Sequence, residues 1–169
     1  MKMYRVFLGL GSNVGSREKF IQHAVVELKR VRDTRIVWAS SIYETDPYGK
    51  TDQPRFLNAA LEMETCLTPR ELYTEAKTIE QRIGRMITER WGAREIDIDI
   101  LIYDGLVFRD DAVTVPHPGM EGRKFVLVPM KEIAPGLVHP VNGMTMEELV
   151  AACKDTGRVV QSHHKIILS

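Results

Sequence analysis

Glu95-Ile96-Asp97-Ile98-Asp99-Ile100-Leu101-Ile102-Tyr103 is the stretch on which the fold turns. Isoleucine alternates with acid and the run ends in an aromatic, which reads as an extended strand rather than a helix. Side chains on a strand point to opposite faces in turn. Ile96, Ile98, Ile100 and Ile102 are therefore expected on one face, with Asp97 and Asp99 projecting together from the other, their Cα atoms roughly 6 to 7 Å apart.

Working back from this strand, Thr68-Pro69-Arg70-Glu71 is a capping box with proline at the first helical position. It opens a helix whose apolar residues Leu72, Ala76, Ile79 and Ile83 keep period up to Gly84. Phe56–Thr65 and Thr34–Thr45 are extended runs on either side of the Pro/Gly-rich loop 46–54, and they are expected to pair as antiparallel neighbours. Tyr4, Val6, Leu8 and Leu10 begin the chain as a strand that ends at Gly11. Ser16 then caps a helix with Phe20, Ile21, Ala24, Val25, Leu28 and Val31 on its core face. The order β-α-β-β-α-β implies an α+β, ferredoxin-like core, an antiparallel sheet with two helices on one face. Asp104-Gly105 signals a hairpin with a return strand at 106–108. The proline-rich remainder, with a second capping box at Thr145 to Glu148, reads as a C-terminal extension against the same core. No boundary, repeat or low-complexity tract divides the chain, so residues 1–169 are expected to form a single domain.

Two carboxylates fixed on one side of a stiff strand repel, and the usual remedies are a raised pKa, a basic partner or a bound cation. Oxygen-only ligands suit magnesium, which is held by one or two carboxylates together with substrate phosphates. The preceding loop surrounds Trp91-Gly92 with Arg82, Arg85, Arg90 and Arg94, and guanidinium forks match phosphate oxygens. Acid on a strand beside arginines on a loop makes a site for phosphoryl transfer. The blander alternative leaves the aspartates facing solvent on a half-exposed strand and pairs these arginines with Glu80, Glu89 and Glu95 as a solvated surface.

Composition narrows the field. Lys plus Arg equals Asp plus Glu at 23 each, so no global field draws the chain to nucleic acid or anionic lipid. Cys66 and Cys153 lack partners at zinc-ligand spacing and read as reduced thiols. Residues 1–10 are too briefly apolar for a signal segment and no run reaches membrane-spanning length, so a soluble cytoplasmic protein is expected. Gly9-Leu10-Gly11-Ser12-Asn13-Val14-Gly15 misses the dinucleotide fingerprint by one residue, and there is no phosphate loop with lysine. Among the histidines only His117, between Pro116 and Pro118, suits a positioned imidazole contacting a phosphate or base, against the equal reading of an ordinary loop histidine. Trp38, Phe7 and Phe20 read as core. Phe56 and Phe125 could sandwich a flat heterocycle, against a core role for each.

Taken together, Gly9–Asn13, Tyr43-Glu44-Thr45, Gly49, Gln53–Asn58, Glu80–Arg85, Arg90–Arg94, Ile96–Asp99, Val115-Pro116-His117, Arg123 and Phe125 follow an order and spacing that resembles the 6-hydroxymethyl-7,8-dihydropterin pyrophosphokinases. The likeness runs from Tyr4 to about Leu149. It implies an ATP- and magnesium-dependent transferase of folate biosynthesis that moves diphosphate from ATP to the pterin alcohol and releases AMP. By the same resemblance Asp97 and Asp99 ligate two magnesium ions, and Phe56 and Phe125 stack on the pterin while Thr45 and Asn58 bond its edge. Arg85 and Arg94 clamp phosphate, Glu80, His117 and Arg123 contact the nucleotide, and Trp91 belongs to a closing lid. The partners implied are small molecules alone, with no nucleic acid, no membrane and a monomeric enzyme. Ala93 stands where the family commonly has proline, and the arginine loop is one residue shorter than the family's, so no further arginine is mapped onto Ile87 or Thr88. No side chain is assigned as a general base. Two rival readings are an RNA-binding module on the same sheet, which paired acids would disfavour, and another two-metal transferase such as a cyclase.

Overall fold

The computed structural model describes residues 1–84 and 93–169. Its main sheet is antiparallel throughout. Strand β1 (Tyr4–Ser12) lies between β5 (Asp97–Tyr103) and β4 (Phe56–Thr65), and β2 (Thr34–Ala39) and β3 (Tyr43–Thr45) both pair with the far edge of β4. Helices α1 (Arg17–Leu28) and α2 (Pro69–Ile83) cover one face. Ile21, Ala24, Val25 and Leu28 of α1 and Leu72, Ala76 and Ile79 of α2 pack there on Val6, Leu8, Leu10, Leu61 and Met63. This is the expected βαββαβ core. The α2 capping box forms, with Thr68 Oγ1 accepting from Glu71 and Glu71 accepting from Thr68, and Gly84 ends the helix in the left-handed region. The side chain of Ser16 makes no cap bond.

The extension builds a second core on the opposite face. Leu127, Met130 and Ile133 of α3 (Lys124–Ile133), Met146 and Leu149 of α4 (Met146–Ala152), and Met120 bury Phe7, Ala60, Leu101 and Ile102. The sheet is thus covered on both sides. Beyond α4, β8 (Val159–Gln161) adds itself to β3, and the last residues turn back along α1, where Gln22 exchanges hydrogen bonds with the backbone of Ile167.

Four local expectations change. Thr34–Thr45 is two strands, because Ser40 Oγ takes the N–H of Ala60 at 2.8 Å and interrupts the ladder. A bulge at Val37 sets Trp38 opposite Glu62, and the tryptophan is 55% exposed rather than core. A second bulge, at Leu101, pairs Phe7 with Ile102 and Leu8 with Ile100. Ile96, Ile98 and Ile100 stay in the α1/α2 core, whereas Ile102 crosses to the other face. Finally, the segment after Asp104 does not return along β5. The outer edge there accepts from His117, whose N–H reaches the Leu101 carbonyl at 2.8 Å, and β6 (Phe108–Arg109) pairs instead with β7 (Thr114–Val115).

Candidate active site

The residues of the second sheet face that α3 and α4 leave open form a cavity of about 350 Å³, within the range of small-molecule sites. Its floor is β1, β4 and β5 at Gly9, Gly11, Asn58, Asp97, Asp99 and Leu101, with Thr45 of β3 beside them. The glycines are there for clearance. A Cβ on Gly11 would stand 2.6 Å from Asn58 Oδ1, and one on Gly9 would meet the Leu101 side chain at 3.4 Å. The glycine segment that misses the dinucleotide fingerprint is the bare strand over which neighbouring side chains reach.

Asn58 Nδ2 donates to Thr45 Oγ1 at 2.8 Å, which fixes the amide and leaves its oxygen to accept. Phe56 and Phe125 line the cavity with them. The ring of Tyr48 lies 5.7 Å from that of Phe125 at 52°, and the Arg123 guanidinium rests 5.4 Å over Tyr48. Asn13, buried at the end of β1, ties the two bordering loops. Its Nδ2 donates to Gln53 Oε1 at 2.9 Å and to the Pro54 carbonyl at 3.0 Å, while its Oδ1 accepts from the Arg94 N–H at 2.8 Å.

Asp97 and Asp99 line the same cavity, together with Lys77, Arg94, His117 and Arg123. Burial, and then the Asp97 carboxylate beside it, push the Asp99 carboxyl well above the ordinary range. Burial, and then the charge of Arg123, hold the His117 imidazole below its usual value, so it is neutral near pH 7. Its Nδ1 is buried without a hydrogen-bond partner among the described residues. Two carboxylates on one strand face, in a cleft with cationic walls, fit a magnesium ion that takes its remaining oxygens from water and polyphosphate.

A family model described as 7,8-dihydro-6-hydroxymethylpterin-pyrophosphokinase (HPPK) matches residues 7–135. The chain belongs to this family. It is 43% identical over 155 residues to the 2-amino-4-hydroxy-6-hydroxymethyldihydropteridine pyrophosphokinase of Methylorubrum extorquens, a match covering 92% of this chain and 97% of that one. The protein of the same name from Aquifex aeolicus is 40% identical over 146 residues, covering 86% and 90%. Among solved structures, a Plasmodium falciparum HPPK-DHPS, wild type with STZ-DHP, superposes with a TM-score of 0.72 at 16% identity. That likeness extends over 89% of this chain and 43% of the longer one, and it shows the fold alone.

Of the pyrophosphokinase residues named from sequence, Thr45, Phe56, Asn58, Arg94, Asp97, Asp99, His117, Arg123 and Phe125 all line the one cavity. Glu80 sits one step behind the wall, its Oε2 accepting from the Ile98 N–H at 2.8 Å and from Lys77 Nζ at 3.0 Å. Arg85, Arg90 and Trp91 lie outside the described residues. Sequence reasoning missed Lys77 and Tyr48. A lysine three residues before Glu80 on one helix face was the available signal for the first. Nothing in the loop marked Tyr48.

Proposed function

We propose that the chain transfers diphosphate from ATP to 6-hydroxymethyl-7,8-dihydropterin, giving the pterin diphosphate and AMP, as a step of folate biosynthesis. The observation that carries this reading is the union, in one cavity, of a strand-borne carboxylate pair with an aromatic and amide slot. Phe56 and Phe125 take the faces of the pterin, and Asn58 and Thr45 take its edge. Arg94, Arg123 and the neutral His117 bind polyphosphate oxygens, with Arg85 and Trp91 closing from the loop and Glu80 supporting the nucleotide side.

The pterin hydroxymethyl oxygen attacks the β-phosphorus in line. A new O–P bond forms, the bond to the bridging α,β-oxygen breaks, AMP leaves with its charge, and the hydroxyl proton passes to solvent. Chemistry of this kind is mostly positioning and charge neutralisation. Two magnesium ions held by Asp97 and Asp99 would neutralise the triphosphate and acidify the attacking hydroxyl. Arg85 and Arg94 stabilise the charge that develops on the transferred group.

The enzyme acts as one domain over residues 1–169, as a monomer in the cytoplasm. No helix among the described residues is long and apolar enough to cross a membrane. With α3 and α4 on the second face, the platform on which RNA-binding sheets stack bases is occupied. Asp97→Asn tests the reading. The variant should keep its thermal midpoint within a few degrees and lose turnover by orders of magnitude, and near-normal activity would end the proposal.

A further inference from the structure

Three carboxylates converge where α2 passes beneath the start of β5. Glu80 is buried and bonded to the Ile98 N–H, and Asp97 and Asp99 flank that residue on the strand. Lys77 Nζ lies 3.0 Å from Glu80 Oε2 and 3.5 Å from the Ile98 carbonyl oxygen, and it lines the cavity with both aspartates. Its nitrogen also sits 5.4 Å over the Tyr73 ring one turn back on α2. Burial alone would lower the ammonium pKa, but the charges of Glu80, Asp97 and Asp99 hold it above its ordinary value. Beside Leu72, Ala76 and Ile79 the buried face of α2 carries Glu80, so Lys77 answers a buried carboxylate of its own helix as well as facing the aspartates across the cavity.

We infer that Lys77 is a resident counter-cation for the carboxylate pair, occupying the electrostatic place that a divalent cation takes over when nucleotide binds. The inference rests on the reading of Asp97 and Asp99 as metal ligands. A single ammonium offers the carboxylates hydrogen bonds but cannot take oxygens from both aspartates and an incoming polyphosphate at once, so a dication still gains by entering. Lysine suits the exchange. A compact charge on a flexible four-carbon stem can withdraw without moving the helix, whereas an arginine fork would grip carboxylates bidentately. On withdrawal the ammonium keeps Glu80 and gains the phosphate oxygens that arrive in the same cavity. Free metal must therefore displace Lys77 unaided, while the metal–nucleotide complex brings the lysine a new partner, and the site favours the complex.

Manganese binding to the nucleotide-free protein, followed by calorimetry, tests this on wild type, Lys77→Met, Lys77→Gln and Asp97→Asn. Removing a like charge from a poorly solvated site should tighten manganese binding about tenfold in both Lys77 variants. Their thermal midpoints in chelator should fall and be recovered by manganese. Affinity equal to or weaker than wild type in both, or a midpoint deficit that metal does not recover, overturns the inference. If Lys77→Met and Lys77→Gln do not fold without metal, Lys77→Arg supplies the reverse reading: its fork should weaken manganese binding several-fold, and unchanged binding refutes the role. Failure of the metal reading is separable, because then Asp97→Asn binds manganese as wild type does. Loss of binding in Asp97→Asn without any gain in the Lys77 variants refutes the Lys77 role alone.

Discussion

Replacing Gly11 by alanine probes the floor of the cavity with a single methyl group. The added Cβ would lie 2.6 Å from Asn58 Oδ1, 3.7 Å from its Cγ and 3.8 Å from Phe56 Cδ1, where ordinary contact begins near 3.4 Å. Gly11 does not have a positive φ, so alanine brings no backbone strain and the effect is steric. The Asn58 carboxamide lies between β1 and β3, so a retreat of about 0.8 Å from Gly11 drives it toward Thr45, and its 2.8 Å bond to Thr45 cannot keep good hydrogen-bond geometry. Loss of that buried bond costs about 1 kcal/mol, and crowding a packed site adds about 1–3 kcal/mol. For a chain of this length each kcal/mol lowers the thermal midpoint by roughly 2–4 °C, so a fall of roughly 5–15 °C is expected. The displaced amide should also weaken pterin binding about tenfold, the equivalent of one hydrogen bond, read by calorimetry with a non-hydrolysable ATP analogue and magnesium present. Gly9→Ala is the control, since its Cβ meets only the flexible end of Leu101 at 3.4 Å. Wild-type pterin affinity together with a wild-type midpoint in Gly11→Ala would refute the reasoning.

The exposed tryptophan on β2 predicts a small effect: Trp38→Ser should change unfolding free energy by under about 0.5 kcal/mol, and a loss of about 3 kcal/mol or more in urea denaturation would mean the residue is core after all. Glu27, buried on α1 and bonded to Arg82 and Arg30, has its carboxyl held below the ordinary 4.5, first by the Arg82 hydrogen bond and against the opposing effect of burial. Its contribution is therefore present above about pH 4.5 and lost as pH falls through the lower folded value. Glu27→Gln should cost about 1.5–3 kcal/mol at pH 7, and the gap to wild type should narrow in acid; a gap that stays constant down to pH 3 would refute the ionic account.

Period and capping carried much of the fold. Alternation from Tyr4 to Gly11, the extended run Phe56–Thr65, the 3.6-residue period of α1 and the Thr68–Glu71 box are local signals, written in consecutive residues; β4 and α2 adopt the bounds so read, and β1 runs on one residue to Ser12. The acid pair was equally local: Asp97 and Asp99 share a face because they are two residues apart on a strand. Recognition of the pyrophosphokinase pattern drew on residues from every part of the chain. It named most of the cavity wall before any geometry was known.

Other features depended on which segments meet. The bulges at Val37 and Leu101 arise from competition between hydrogen-bond ladders, and a one-residue slip decides whether Trp38 is buried and which core Ile102 joins. The outer edge of β5 accepts from His117 rather than from a hairpin strand, a contact made by a segment beyond the β6–β7 pair. The second core could not be read from an extension whose helices find their partner only on the far side of the sheet. Lys77 is the clearest case. On its helix it is an ordinary exposed-face lysine, three residues from a glutamate; only the packing of α2 beneath β5 brings its charge to the aspartates. The identity of the acids, the glycines and the aromatics was thus determined by sequence alone. Their convergence into one cleft was decided by tertiary structure, because neither burial nor the field of a distant charge is a property of any single stretch of chain.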